Sequence, residues 1–251
     1  MELKILGSSS AGNCYVFDNG KEALVVECGI RFKEVQKAVN FDISRIVGAL
    51  VSHEHGDHTK GINDVLRARL KVFLSKGTKE CIVEKGVESY SIPLLNEVKH
   101  GCIFNAGNFK IIPFNVQHDA AEPLGFLIHH PEIGTVLFAT DTYYLANTFS
   151  GLNNILIECN YRLDILEESI AAGRAREVTR DRTIKSHMSF DTCKETLLAN
   201  DLSAVNNIVL IHLSGGNSNA SEFQQGIHEA TGKTVHIADK GMTLKFNKTP
   251  F

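Results

Sequence analysis

The chain has 251 residues but no apolar run approaching the ~18 residues of a membrane-spanning helix, so no membrane is expected among its partners. Its six cysteines, Cys14, Cys28, Cys81, Cys102, Cys159 and Cys193, include no C-x-x-C pair. That spacing argues against a zinc–thiolate site and against a disulfide framework, and is consistent with small core residues of a reduced protein. Residues Met1 to Gly7 lack the apolar segment of a secretion signal, so the expected location is cytoplasmic. There is no internal repeat, low-complexity tract or linker, which predicts one domain over residues 1–251. A large excess of charge of one sign is also lacking: the formal net charge is −3. A nucleic-acid partner would therefore be gripped by a local patch rather than by the overall field. No obligate protein partner is readable.

Hydrophobic residues make up 43% of the chain and charged residues 22%, enough for a core of ordinary size. Apolar runs bounded by Gly, Pro, Asn and Asp predict strands at 3–6, 15–17, 23–29, 46–51, 71–74, 109–116, 124–129, 135–140, 154–158, 207–213, 234–237 and 242–246. Pro113 marks an edge or a bulge within its run. Helical patterning predicts helices over 31–39, 59–68, 77–86, 162–172, 190–200 and 219–232. Ser189 and Asn219 are the expected N-caps, and Gly232 the stop. This order suggests two packed sheets covered by helices, an α+β class.

The densest chemistry is Ser52-His53-Glu54-His55-Gly56-Asp57-His58, directly after the apolar run 46–51. His53 and His55 alternate as strand-end residues do, and Gly56 allows a sharp turn, so Asp57 and His58 can face a second position. Imidazole and carboxylate at this spacing suit two metals side by side, zinc or a neighbouring transition metal. The alternative is a polar strand-to-helix loop with surface histidines. Two metals need more ligands, and strand ends are where a scaffold can aim them. His118 follows one strand, Asp141 ends another, and His212 lies near the end of a third. A carboxylate such as Asp141 can bridge two cations, which a neutral imidazole cannot do.

The order His53-x-His55-x-Asp57-His58, then His118, Asp141 and His212, resembles the metallo-β-lactamase superfamily. That resemblance implies a four-layer αβ/βα sandwich with a dinuclear site at one edge of the sheets. It implies one metal on His53, His55 and His118, the other on Asp57, His58 and His212, and Asp141 as the bridge. Class B β-lactamases carry Cys where Asp141 stands, and flavodiiron proteins carry Glu where His55 stands, so a β-lactam substrate and redox use are both disfavoured. Over 3–246 the chain more closely resembles the YycJ/WalJ (VicX) group of single-domain metallohydrolases. The matching pieces include Leu6-Gly7-Ser8-Ser9-Ser10-Ala11-Gly12-Asn13, Glu27-Cys28-Gly29-Ile30, Ser186-His187-Met188-Ser189 and His212-Leu213-Ser214-x-x-Asn217. The group is associated with DNA exonuclease activity, which makes DNA the expected substrate. Glu27 stands where Asp is more usual.

Nuclease branches of the superfamily place a strand-end acid and a later His beside the metals, a pattern that Glu158 and His187 match. His187 would protonate the departing sugar oxygen, and Glu158 would orient the ring and keep it charged. The bland alternatives are a helix-start His and a strand-end surface acid. Asp57, Glu158 and His187 are thus the candidate catalytic residues, with two divalent ions, zinc by default and manganese or iron as alternatives, holding a bridging hydroxide as nucleophile. Residues 174–185 carry five cations against two acids. Arg180, Arg182 and Lys185 are candidates to track a phosphate backbone, the alternative being a solvated face. Ser8, Ser9 and Asn13 are candidates for a backbone cradle near phosphate, with a plain hairpin loop as the alternative. His100, His129, His130, His228 and His236 are expected to be structural or surface residues. Two rival functions remain: a small-molecule hydrolase acting on a lactone, thioester or cyclic phosphodiester, and a non-catalytic metal- or nucleic-acid-binding module. Mild acidity favours the first rival, as does the short step from Asp141 to His212, which leaves no room for an inserted clamp. The full ligand set argues against the second.

Overall fold

The computed structural model describes residues 1–174 and 176–249. In chain order the strands are β1 (Glu2–Gly7), β2 (Cys14–Asp18), β3 (Ala23–Val26), β4 (Ile46–Leu50), β5 (Val72–Leu74), β6 (Leu95–Glu97), β7 (Phe104–Ala106), β8 (Phe109–Asn115), β9 (Leu124–His130), β10 (Gly134–Ala139), β11 (Leu152–Glu158), β12 (Asn207–Ile211), β13 (Thr234–Ile237) and β14 (Thr243–Lys245). The helices are α1 (Phe32–Ala38), α2 (Gly56–Thr59), α3 (Ile62–Arg67), α4 (Lys76–Glu84), α5 (Leu163–Ala171), α6 (Glu177–Ser186), α7 (Phe190–Leu198) and α8 (Ala220–Thr231).

The strands form two mixed sheets in the orders β14-β1-β2-β3-β4-β5-β6 and β13-β12-β11-β10-β9-β8-β7. Apolar side chains from both sheets, among them Leu3, Tyr15, Phe17, Phe109, Phe126, Phe138 and Val209, share one buried cluster. A second cluster packs the outer face of the first sheet against α1 and α3, through Phe32, Val35, Val65 and Leu66. A third packs the outer face of the second sheet against α7 and α8, through Cys193, Leu197, Phe223 and Ile227. The result is helices, sheet, sheet, helices: an α+β sandwich of four layers. The parallel strands β4, β11 and β12 are buried over most of their length, as strands covered on both faces must be.

Local chemistry explains several element ends. Ser189 Oγ accepts from Thr192 N and Asn219 Oδ1 from Glu222 N, while Gly232 closes α8 at φ 65°, in the left-handed region where glycine carries no Cβ penalty. Pro113 sits in β8 beyond the end of the three-residue β7, where its missing N–H interrupts no ladder; its carbonyl accepts from Gly101 N. The expected single helix over 59–68 is instead the short pair α2 and α3. Gly61 lies between them because a Cβ there would overlap Ile30 O. The expected strands also omit the three-residue β6 and β7, and no helix was expected at α6. All six cysteines are free, and four of them (Cys14, Cys28, Cys159 and Cys193) are buried.

Candidate metal centre

The nine candidate ligand and catalytic residues converge on one rim of the sandwich, eight of them from the C-terminal end of a strand or from the loop after it. His53, His55, Asp57 and His58 follow β4, His118 follows β8, Asp141 follows β10, Glu158 ends β11, and His212 follows β12. His187 caps the C-terminus of α6. Strand ends aim the donors because the strands themselves are locked in the core. Three buried residues on this rim, Glu27, Asp141 and His212, have positive φ at 69°, 45° and 55°. Non-glycine residues are held there at a cost of about 1–3 kcal/mol each, strain of the kind concentrated at functional sites.

Two donor sets share Asp141. In the first, His55 Nδ1 lies 3.0 Å from His53 Nε2 and 3.2 Å from His118 Nε2, while Asp141 Oδ2 stands 3.8 Å from His53 Nε2 and 3.6 Å from His118 Nε2. In the second, Asp57 Oδ2 lies 3.2 Å from His58 Nε2 and 3.3 Å from His212 Nε2, and Asp141 Oδ2 is 3.4 Å from His58 Nε2. Four tetrahedral donors about 2.0–2.1 Å from one ion stand roughly 3.3 Å apart, so these spacings fit a divalent cation in each set.

The far sides of two of the rings are anchored by hydrogen bonds, and those of two more face carboxylates. His118 Nδ1 donates to Ser186 O at 2.7 Å, and His53 Nδ1 pairs with Ser52 Oγ at 2.9 Å. His58 Nδ1 is 3.3 Å from Glu27 Oε2, and His212 Nδ1 is 3.2 Å from Glu158 Oε1. The carboxylates favour the charged form of these rings, although His58 Nδ1 itself makes no hydrogen bond among the described residues. Thr140 Oγ1 donates to Asp141 Oδ1 at 2.8 Å, which leaves Oδ2 as the atom common to both sets.

The electrostatics favour added positive charge. Burial opposes ionisation of Asp141, yet His212 and His58 outweigh it and hold its carboxyl well below the usual range. Burial also disfavours a charged His212, but Asp141, Asp57 and Glu158 push it up to about 10. His58 is raised in the same sense, chiefly by Asp141 and Glu27 against burial. His53 and His118 are lowered, mainly by burial. A divalent cation would supply the charge that protons on His58 and His212 otherwise supply, so binding would release protons.

Glu158 is fully buried and makes four contacts. Its Oε1 lies 2.7 Å from His187 Nδ1 and 3.2 Å from His212 Nδ1, and its Oε2 accepts from Thr142 N at 2.8 Å and Met188 N at 3.1 Å. Burial opposes the charged form of His187, but Glu158 outweighs it and raises the imidazolium above its ordinary value. His187 shares a cavity of about 300 Å³ with Ser10, His55, Asp57, His118, Asp141 and His212.

The expected substrate residues divide. Arg182 lines this cavity, with its Nε donating to Asp119 Oδ2 at 3.1 Å, while Arg180 is paired with Glu167 and Asp181. Lys185 is on the exposed face of α6. Ser8 Oγ accepts from His212 N at 2.9 Å and pairs with Tyr15 OH. Asn13 is buried, with its Nδ2 3.1 Å from Asp57 Oδ2 and 3.2 Å from His58 Nε2. Ser8 and Asn13 therefore brace the donor residues, while Ser9 Oγ accepts from Ala11 N and Ser10 reaches the cavity. Sequence reasoning missed Ser10, Ser52, Asn160 and Asp119. Asn160 Nδ2 donates to His212 O at 2.8 Å, and only the adjacency of Ser52 to His53 and of Asp119 to His118 carried any signal. The histidines expected outside the site stay outside it: His130 pairs with Glu22, and His228 Nδ1 donates to Lys233 O.

A family profile described as a β-lactamase superfamily domain matches residues 23–213, and the chain belongs to this metallo-β-lactamase superfamily. Family, fold and donor clusters make it a metal-dependent hydrolase with a divalent-metal site. Among particular relatives, it is 26% identical over 259 aligned positions to the exodeoxyribonuclease WalJ of Streptococcus pneumoniae, covering 98% of this chain and 92% of that one. It is 28% identical to the exodeoxyribonuclease YycJ of Bacillus anthracis over 178 positions, spanning 66% of this chain and 65% of that protein. The metallo-β-lactamase fold protein YhfI of Bacillus subtilis superposes with a TM-score of 0.71 at 17% identity, covering 97% of this chain and 99% of that one. Human short-form tRNase Z superposes at 0.62 and 14% identity, covering 98% and 99%. No helix among the described residues is long and apolar enough to cross a membrane.

Proposed function

We propose that residues 1–251 form one domain and act as a two-metal phosphodiesterase that digests DNA from an end. The observation that carries the reading is the Glu158–His187 pair at 2.7 Å beside the donor sets. Hydrolysis of a lactone or thioester has less need of a held imidazolium, whereas expulsion of a sugar alkoxide from phosphorus needs a proton at the leaving oxygen. The names of the relatives supply the choice of DNA.

In this reading His53, His55 and His118 would hold one cation, Asp57, His58 and His212 the other, and Asp141 would serve both sets, with zinc the default for these ligands and manganese or iron alternatives. Bound there, such ions supply a nucleophilic water at neutral pH and draw charge from a phosphoryl oxygen. Glu158 keeps His187 protonated and fixes its tautomer by accepting from Nδ1, so the transferable proton is on Nε2. Ser10 and Arg182 flank the phosphate at the mouth of the cavity.

The test is a screen of metal-reconstituted protein on end-labelled DNA, RNA and bis(p-nitrophenyl) phosphate, with His53→Ala as control. Exonucleolytic loss of labelled DNA that vanishes in the control is expected. Activity confined to small esters and insensitive to salt would move the assignment to a small-molecule hydrolase.

A further inference from the structure

Five cations lie between residues 174 and 185, and they are not equivalent. Arg180 is ion-paired with Glu167 and Asp181, and Arg182 with Asp119 at the mouth of the donor-set cavity. Arg174 and Arg176, by contrast, have no ion-pair partner among the described residues, although each carries five N–H donors. Both line a cavity of about 570 Å³ separate from the one at the donor sets. Its other wall is the loop after His212, where Ser214 and Asn217 also face it. Neither the Ser214 hydroxyl nor the Asn217 carboxamide has a hydrogen-bond partner among the described residues.

The wall is rigid and is tied to the metal centre. Ser214 N donates to Asn160 O, Arg162 N to Asn217 O, and Ser169 Oγ to Gly216 O, at 2.9, 3.0 and 3.1 Å. The same Asn160 holds His212 through its backbone oxygen and ring. Ser214 is two residues beyond His212, hence within about 7 Å of it along the chain. Arg176 and His187 cap opposite ends of the ten-residue α6, roughly 15 Å apart.

We propose that this cavity binds a phosphate group of the nucleic-acid strand at a distance from the bond that is cut, an inference that rests on the phosphodiesterase reading. Two uncommitted guanidiniums with a hydroxyl and a carboxamide form a donor set suited to a phosphate's oxygens. Its volume is in the range of ligand pockets, so a nucleotide fits as well as an ion. A span of roughly 7–15 Å puts that phosphate within the first few nucleotides of the scissile one. A chain of net charge −3 needs such a local grip. The phosphate can be a terminal monoester or an internal diester, and the chemistry of recognition is the same.

The Arg174→Ala/Arg176→Ala double variant separates these sources. KM for DNA should rise about tenfold or more, and the slope of log(kcat/KM) against log[salt] should flatten by about 1–2. Turnover of bis(p-nitrophenyl) phosphate should be unchanged. Asn217→Asp, which adds a carboxylate to the cavity, should weaken DNA in the same way. If the phosphate is terminal, the wild type prefers phosphorylated over hydroxyl ends and the variant does not; if it is internal, both kinds of end weaken alike. Binding of end-labelled oligonucleotide to chelator-treated protein, read by fluorescence anisotropy, gives the answer without turnover. Equal affinity and equal salt slope in wild type and double variant overturn the proposal. A wild type that binds DNA through these arginines yet cleaves only small esters would instead overturn the exonuclease reading.

Discussion

Glu158 Oε1 lies 2.7 Å from His187 Nδ1, which ties a cavity-lining imidazole to a buried carboxylate on β11. If His187 is the proton donor, His187→Ala should lower kcat on DNA by about 10²–10⁴-fold while metal content, measured by plasma emission, stays at the wild-type level. Loss of metal from this variant would make His187 a ligand instead. Glu158→Gln should move the descending, high-pH limb of the pH–rate profile to lower pH, because a proton donor fails as it deprotonates and the charge that raises His187 is gone.

Asp141 Oδ2 lies within 3.8 Å of donors in both sets. Asp141→Ala should therefore reduce bound metal below that of the wild type by up to one ion per chain. Full retention of two ions would refute the bridge.

Asn13 donates to Asp57 Oδ2 from a buried position. Asn13→Ala should weaken metal affinity about 10–100-fold, the usual cost of removing a partner behind a ligand, as measured by chelator competition. An unchanged affinity together with a raised KM for DNA would return Asn13 to substrate binding.

Acid stability offers a control away from the site, at the other end of β2. Burial opposes ionisation of Asp18, but Lys4, Gly20 N and Arg45 outweigh it and hold the carboxyl below its ordinary value. A lowered folded-state pKa gives stability that is fully present above the unfolded value of about 3.9 and is lost as pH falls through the folded one. Asp18→Asn should cost about 1–3 kcal/mol at pH 7 by removing charge-assisted hydrogen bonds from Lys4 and Arg45, which keep Glu2 and Asp42 as partners. Urea titrations of both proteins should show that gap closing towards pH 3. A gap independent of pH would remove Asp18 from the acid limb.

The convergence of the candidate donors was legible because strand ends are legible: an apolar run that stops at His, Asp or Glu places its polar residue on the rim. His118, Asp141, Glu158 and His212 all follow that rule. Side-chain direction within the 7–13 loop was not legible. Ser8, Ser9 and Asn13 offer similar polar atoms in sequence, and only the packed loop turns Ser8 to His212 and Asn13 to Asp57 while leaving Ser10 at the cavity. The helix α6 escaped for a different reason. Glu177 to Ser186 has no apolar stripe, and Val178 and Ile184 are exposed, so hydrophobic spacing carried no signal there.

The donors divide by sheet. His53, His55, Asp57 and His58 belong to the first, and His118, Asp141, Glu158 and His212 to the second. Apart from β14, the first sheet is built from the first 97 residues and the second from the residues after it. A loaded centre would thus be a clasp between two halves of the chain, closing a loop of more than a hundred residues at the open rim of the sandwich. Sliding of one sheet over the other would pull each donor set apart, so catalytic competence and the docking of the halves would rise and fall together.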